Sequence, residues 1–335
     1  AGGSGTSGAS GTGGALALDS GGGGGASVVP TMEEPQGTAL NIPCDALLGV
    51  NGSDLLILLP TSFVKIGPGA NMTAPVVTAP SNYFQGAHDF AVDGTTLFWS
   101  NYQSIQSMSF SGGTPAILPV SNKDVISGPE ELAVQGAYVY FSRDNDGNLY
   151  RVATDGKTPD QQVGTFPMAR KGTATNGIAW IGDRVYWGFD ELVMSAPLAG
   201  GGASTIAAQA SKPYATLFGA TGTAILWGGT TEGFVRTTLP ADKSTLLANP
   251  IDSRIGAFDG TTMFGVRANA AGNPRIVSVP AAGGAVTEIA AAGSQRTVKQ
   301  LLVTTQHIYW TATRQCATPF ECPMGTCEAR RVSKP

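Results

Sequence analysis

The chain has 335 residues, 42% of them hydrophobic and 13% charged, with a formal net charge of -4. That much apolar material builds a folded core, whereas 20 Lys and Arg against 24 Asp and Glu leave no basic stripe, which excludes nucleic acid and an anionic membrane surface as partners. The longest apolar run, Leu55 to Leu59, falls far short of the roughly 20 residues of a membrane-spanning helix.

Residues 1–26 are nearly all Gly, Ser, Thr and Ala and read as an N-terminal arm, too poor in apolar surface to order alone. Such an arm orders only where its backbone groups find partners, on this protein's own surface or on a neighbouring subunit, and other protein subunits, reached through residues 1–26, are the expected partners. A spacer of this kind resembles those of bacterial surface lipoproteins, which implies a lipid anchor. Residues 27–335 make up the folded domain.

That domain repeats itself with a period of about 40 residues. A first, weaker copy runs Gly49-Val50-Asn51-Gly52 to Leu55-Leu56-Ile57, with Val76-Val77 in an outer position. The clearest copy follows: Phe90 to Asp93-Gly94, then Phe98-Trp99-Ser100, Ile105 to Phe110, Gly112-Gly113 and Ala116 to Leu118. Later copies carry Tyr140-Phe141, Tyr186-Trp187, Leu226-Trp227, Met263-Phe264 and Tyr309-Trp310 at the same place. Within each unit, short segments alternate apolar with polar residues, the period-two pattern of half-buried antiparallel strands. Asn51-Gly52, Asp93-Gly94 and Asp259-Gly260 supply hairpins between the first two strands, and Gly112-Gly113, Asp155-Gly156, Gly201-Gly202 and Gly283-Gly284 punctuate the last two. No segment holds a helical period.

The pattern predicts an all-β fold, a single seven-bladed β-propeller, with six blades as the alternative. The aromatic pairs recur at one strand position, which marks them as packing between blades and not as a ligand cage. The last unit is one strand short after Ala329 to Ser333. Gly24-Gly25-Ala26-Ser27-Val28-Val29-Pro30 resembles the outer-strand segments that begin at Gly201 and Gly283, so it is expected to supply the missing strand and close the ring by the chain ends.

Cys316, Cys322 and Cys327 crowd one loop, and Cys44 stands alone. Their spacing fits no paired zinc knuckle, and no His accompanies them. Two disulfides are expected, one inside the loop and one joining Cys327 to Cys44, which places the protein outside the cytoplasm: secreted, periplasmic or on the cell surface.

At Phe98-Trp99-Ser100-Asn101, Tyr186-Trp187-Gly188-Phe189 and Tyr309-Trp310-Thr311-Ala312, the chain resembles degenerate YWTD-type repeats of secreted β-propellers, the LDL-receptor group, and more loosely the NHL and lactonase groups. The resemblance implies the fold over nearly all of residues 27–335. The fourth motif position is Asn101, Phe189, Gly229 or Ala312, so the receptor-type Asp network between blades is not implied.

In a propeller, residues just before each innermost strand ring the channel mouth. The repeat alignment puts Asp45, His88, Asp89, Glu130, Glu131, Asn176, Thr216, Arg254, and Lys299 with Gln300 there. Glu130, Asn176 and Asp89 are oxygen donors of the kind a calcium ion takes, but Arg254 and Lys299 in the same ring oppose a divalent cation. His88 and Asp89 are sequence neighbours on opposite strand faces, which argues against an acid/base pair, and His307 lies within a strand. Asp144 and Asp146 form a fragment of a calcium loop without its closing Glu. No catalytic residue and no resident metal are expected, and calcium is the one candidate cofactor. The expected role is a non-catalytic propeller, a protein-interaction or structural subunit of a surface or envelope assembly. The alternatives are a calcium-dependent enzyme of the lactonase or lyase class and a carbohydrate or peptide receptor.

Overall fold

The computed structural model describes residues 33–40, 42–43, 46–68, 75–78, 83–101, 104–121, 129–143, 148–165, 175–190, 192–208, 215–229, 233–239, 243–248, 252–314 and 327–335. Within the unit Glu33–Pro335, every described regular element is a strand, and the strands form seven sheets, the blades of a β-propeller. In chain order, blades 1 to 6 occupy residues 47–78, 90–117, 129–165, 175–208, 216–248 and 252–291, and blade 7 occupies 296–333 together with Thr38–Leu40.

The burial of each strand follows its rank from the axis. Second strands, such as Thr96–Ser100 and Ala224–Gly229, are buried on both faces because a blade lies on either side. The outermost strand Lys243–Ala248 is largely exposed. Neighbouring residues of the second strand face opposite blades. Trp99, Trp187, Trp227 and Trp310, at most 2% exposed, pack back on the preceding blade, whereas Phe98, Tyr140, Tyr186 and Tyr309 pack forward on the next. The aromatic pair is thus a two-sided spacer, and its indoles are core. The Trp227 indole donates to the buried Thr237 hydroxyl at 2.9 Å, which satisfies its polar edge.

Blade 6 departs from the predicted alignment. There Met263 packs back with Leu226 of blade 5 and Phe264 packs forward with Trp310 of blade 7, so Phe264 takes the first position of the pair and Gly265 the second. The missing bulk comes from blade 5: Gly256, opposite Gly265, lies against Phe218 and Phe234.

The ring does close through the chain ends, but by a different segment. The partner of Cys327–Ser333 is Thr38–Leu40, with Thr38 opposite Arg331 and Leu40 opposite Ala329. Gly24–Pro30, the segment expected in this role, lies outside the described residues. Leu40 of this strand enters a cluster with Ala329, Tyr309, Leu55 and Ile57, which anchors it at the closure. Gly201-Gly202 also exceeds its expected turn role, pairing in parallel with Gly164-Thr165 as a fifth strand on blade 3.

Before its strand, the N-terminal segment straps blade 6. Glu33 and Ser294 exchange main-chain and hydroxyl hydrogen bonds at 2.8–2.9 Å, Gln36 exchanges two bonds of 2.9 Å with Ala291, and the Glu33 carboxylate contacts the Arg275 guanidinium. The pair is part-exposed, so Glu33→Gln is expected to cost about 1 kcal/mol. Urea denaturation of the two proteins measures it, and an unchanged midpoint would show that the strap's main-chain bonds carry its stability. Cys327, at the start of the last strand, is disulfide-bonded, and the other three cysteines lie outside the described residues.

Candidate functional site

The innermost strands surround a channel cavity of about 340 Å³. Its walls combine main chain at Gly177 and Gly256 with Phe218, Phe258 and Leu301, and the polar side chains on it are Glu131 and Thr216. Val50, Phe258 and Val303, at the hairpin ends of their strands, line it too, so it runs along the channel beyond the mouth where the predicted ring lies.

The strand registers give the channel positions that precede the residue opposite each second aromatic: Leu47, Asp89, Glu131, Gly177, Thr216 and Gln300 in blades 1 to 5 and 7. Two carboxylates therefore sit on adjacent blades, and the positions around them are neutral. Of the predicted ring, Asp89, Glu131, Thr216 and Gln300 are placed there. Lys299 stands in a bulge between Val298 and Gln300 and is exposed. The main chain at His88 bonds Ser100 O at 3.0 Å. Asp45, Asp144 and Asp146 lie outside the described residues, as do the side chains of Glu130, Asn176 and Arg254. Among the described residues, no three His, Cys, Asp or Glu side chains group as a metal site.

Asp89 has a defined task. Its Oδ2 accepts a 2.7 Å hydrogen bond from the Leu132 amide of the next blade, and the Phe90 amide also points to the carboxylate. Burial pushes its pKa up to about 7, against the pull of those two amides. With its carboxylate held by two amides, Asp89 is a joint between blades 2 and 3. The motif's fourth position lacks an inter-blade Asp, yet this one junction has an acid bridge, built from the inner strand instead.

Sequence reasoning missed the polar residue that follows the aromatic pair in these same two blades. Ser100 and Ser142 are fully buried: the Ser100 hydroxyl donates to Asp89 O at 3.4 Å, and the Ser142 hydroxyl accepts from the Glu131 amide at 3.4 Å. The available signal was Ser where the other copies have Leu58, Gly188, Gly228, Gly265 and Thr311. It also missed Arg143, directly before the suspected calcium turn. Arg143 donates to Asp160 at 2.6 Å and to Ser121 O at 2.8 Å and lies over the Tyr150 ring, a buried network at the blade edge.

Solved structures share this fold. A streptogramin B lyase superposes with a TM-score of 0.63 at 12% identity, covering 90% of this chain and 98% of that one. A virginiamycin B lyase from Staphylococcus aureus gives 0.62 at 12% identity, covering 89% and 99%. A puromycin hydrolase gives 0.57 at 11%, covering 83% of this chain and 50% of that one. At such identity the likeness is one of fold. No family model matches the chain, and no curated protein matches it in sequence.

Proposed function

We propose that this chain is a non-catalytic propeller that works outside the cytoplasm as a protein-interaction or structural subunit of a surface or envelope assembly, its repeats a degenerate form of the YWTD type. The observation that carries the reading is the use made of Asp89. The best-placed channel acid is committed to a hydrogen bond between blades, and the described channel positions around it and Glu131 are Leu47, Gly177, Thr216 and Gln300. A rigid ring whose channel aspartate is engaged between blades suits recognition by loops and by the arm of residues 1–26.

The register at the closing seam supports the proposed Cys44–Cys327 bond. Leu40 lies opposite Ala329, which is two residues from Cys327, and Cys44 is four residues along the chain from Leu40. That pairing fits an oxidising compartment, and peptide mass mapping that links Cys327 to Cys322 or Cys316 would remove it.

The enzyme reading has one specific support, the fold shared with lyases and a hydrolase. One of those lyases was solved as a catalytically inactive variant with a histidine replaced by alanine. This chain has two histidines, and His307 begins the second strand of blade 7, away from the channel cavity.

The deciding measurement is native mass in a gentle extract, with identification of whatever co-migrates. The expected result is a complex in which residues 1–26 resist protease. A lone 34.2 kDa species that hydrolyses lactones with calcium, and loses turnover in Glu130→Gln, would replace this reading with the enzyme.

A further inference from the structure

The inner wall between blades 5 and 6 is built by an exchange of rings and glycines. Phe218, in the inner strand Thr216–Ala220 of blade 5, lies on Gly256 of blade 6, where an added Cβ would meet its ring at 2.9 Å. Phe258, in the inner strand Asp252–Phe258 of blade 6, lies in turn on Gly219 of blade 5, where a Cβ would meet its ring at 2.6 Å. Each ring fills the notch that its neighbour's glycine leaves, and both pack on the core cluster shared by the two blades. Both nevertheless stay partly exposed and line the channel cavity of about 340 Å³. Glycines that weaken a strand interior thus hold two fixed aromatic surfaces against the channel.

The cavity has an apolar end and a polar end. Every inner strand runs from the mouth toward its hairpin, so the registers order the lining residues along the axis. Phe258, Val303 and Val50, opposite Met263, Ile308 and Leu55, stand beside the hairpins of blades 6, 7 and 1. Val50 is 40% exposed, one of three large apolar side chains so exposed among the described residues, and it lines this cavity. Leu301 lies midway along its strand, opposite Trp310. Thr216, opposite Gly228, stands toward the mouth and brings a hydroxyl to the wall. Glu131 lines the same end, one blade from Asp89, and two acids on adjacent blades make this end unfavourable to an anion.

We infer that the channel binds a small neutral amphiphile, a ring-bearing alcohol or phenol, with its hydrocarbon body against Phe218, Phe258 and Leu301 and its hydroxyl directed to Thr216. An apolar cavity of roughly 150 Å³ holds one benzene ring, so about 340 Å³ takes a body of two rings. Water against the Phe and Leu surfaces is released when that body enters, and the two fixed rings offer it faces and edges to pack on. Orientation follows from the axis, because a hydroxyl turned to the hairpin end would meet Val50 and Val303, with no polar side chain to receive it. The inference concerns the axis of the ring and does not depend on the interaction role proposed above, which uses the loops and the arm.

The test is calorimetric titration of the full chain with 2-naphthol and with 2-naphthoate, which has the same two-ring body but a carboxylate head. The parent is expected to bind 2-naphthol with a Kd below about 1 mM and 2-naphthoate at least tenfold more weakly. Val50→Trp fills the hairpin end from a side chain that is already exposed, and it is expected to abolish 2-naphthol binding with an unchanged urea midpoint. Thr216→Val keeps the shape of the wall and removes the hydroxyl, and about fivefold weaker 2-naphthol binding is expected. A parent that takes up no 2-naphthol at 1 mM overturns the proposal, as does binding that survives Val50→Trp. Naphthoate bound as tightly as naphthol, or a Thr216→Val protein that binds like the parent, overturns the assigned head and its direction. The comparison of the two probes on the parent needs no variant that could fail to fold.

Discussion

Among the described glycines, Gly177→Ala is expected to be the most damaging substitution. Gly177 sits in the innermost strand of blade 4, at the register shift between Asn176 and Ile178, with φ +78°. A Cβ built there would lie 1.8 Å from Leu217 O and 2.8 Å from Leu217 C, main-chain atoms of the next blade that cannot swing aside. The substitution combines left-handed backbone strain with a main-chain collision between blades, and a cost above about 4 kcal/mol follows. Gly182→Ala is the control. It has a similar φ of +59° in a hairpin, with nothing within 4 Å of the new Cβ, so only the backbone penalty of about 1 kcal/mol remains. Urea midpoints of the two variants measure the difference. If they lie within error of one another, the inner strands of blades 4 and 5 do not approach this closely.

The same residue shows where sequence reading stops. The blades were legible because their signals are local: alternation along a strand, a hairpin Asp-Gly, and an aromatic pair at a fixed distance from it. Strand alternation even accounts for the pair itself, since Trp187 must face back when Tyr186 faces forward. The shift of register in blade 6 was hidden because Met263-Phe264 looks like another pair, and only Phe218 and Phe234, from blade 5, reveal that Gly265 holds the second position. The closing strand was misplaced for a related reason. Gly24–Pro30 matched other outer strands by its glycines, yet the contact that matters is Leu40 against Tyr309, hundreds of positions along the chain. Thr38, His307 and Arg331 likewise become neighbours only once the ring is closed. At the channel mouth, the alignment found Asp89, Glu131, Thr216 and Gln300, but a one-residue bulge in the inner strand turns Lys299 out of register, and composition carries no sign of a bulge.

Asp89→Asn is expected to stabilise the protein above neutral pH while leaving it almost unchanged in acid. The Asp89 carboxyl has a pKa of about 7 in the folded chain against an ordinary 3.8, raised first by burial and only partly restored by the Leu132 and Phe90 amides. Below the ordinary value both folded and unfolded chains hold the proton, and this group costs nothing. Between 3.8 and about 7 the folded chain keeps a proton that the unfolded chain has released, so stability falls as pH rises. Above about 7 the folded chain bears a buried charge, at a cost on the order of 2–4 kcal/mol. Asparagine removes that charge and keeps an oxygen to accept from the Leu132 amide. Denaturation midpoints at several pH values should therefore coincide in acid and diverge in favour of Asp89→Asn as the pH passes neutrality. Asp89→Ala, which orphans the Leu132 amide, should be weaker than the parent in acid. A parent and an Asp89→Asn protein with parallel pH profiles would mean that the carboxyl is solvated and ionised throughout. Glu131, beside Leu132 on the facing strand, brings a second carboxylate to this joint, and Glu131→Gln separates the two causes. If burial dominates, the Asp89 profile survives that substitution; if repulsion from Glu131 dominated, the profile would flatten, and the inter-blade joint would become a paired-acid site in the channel wall.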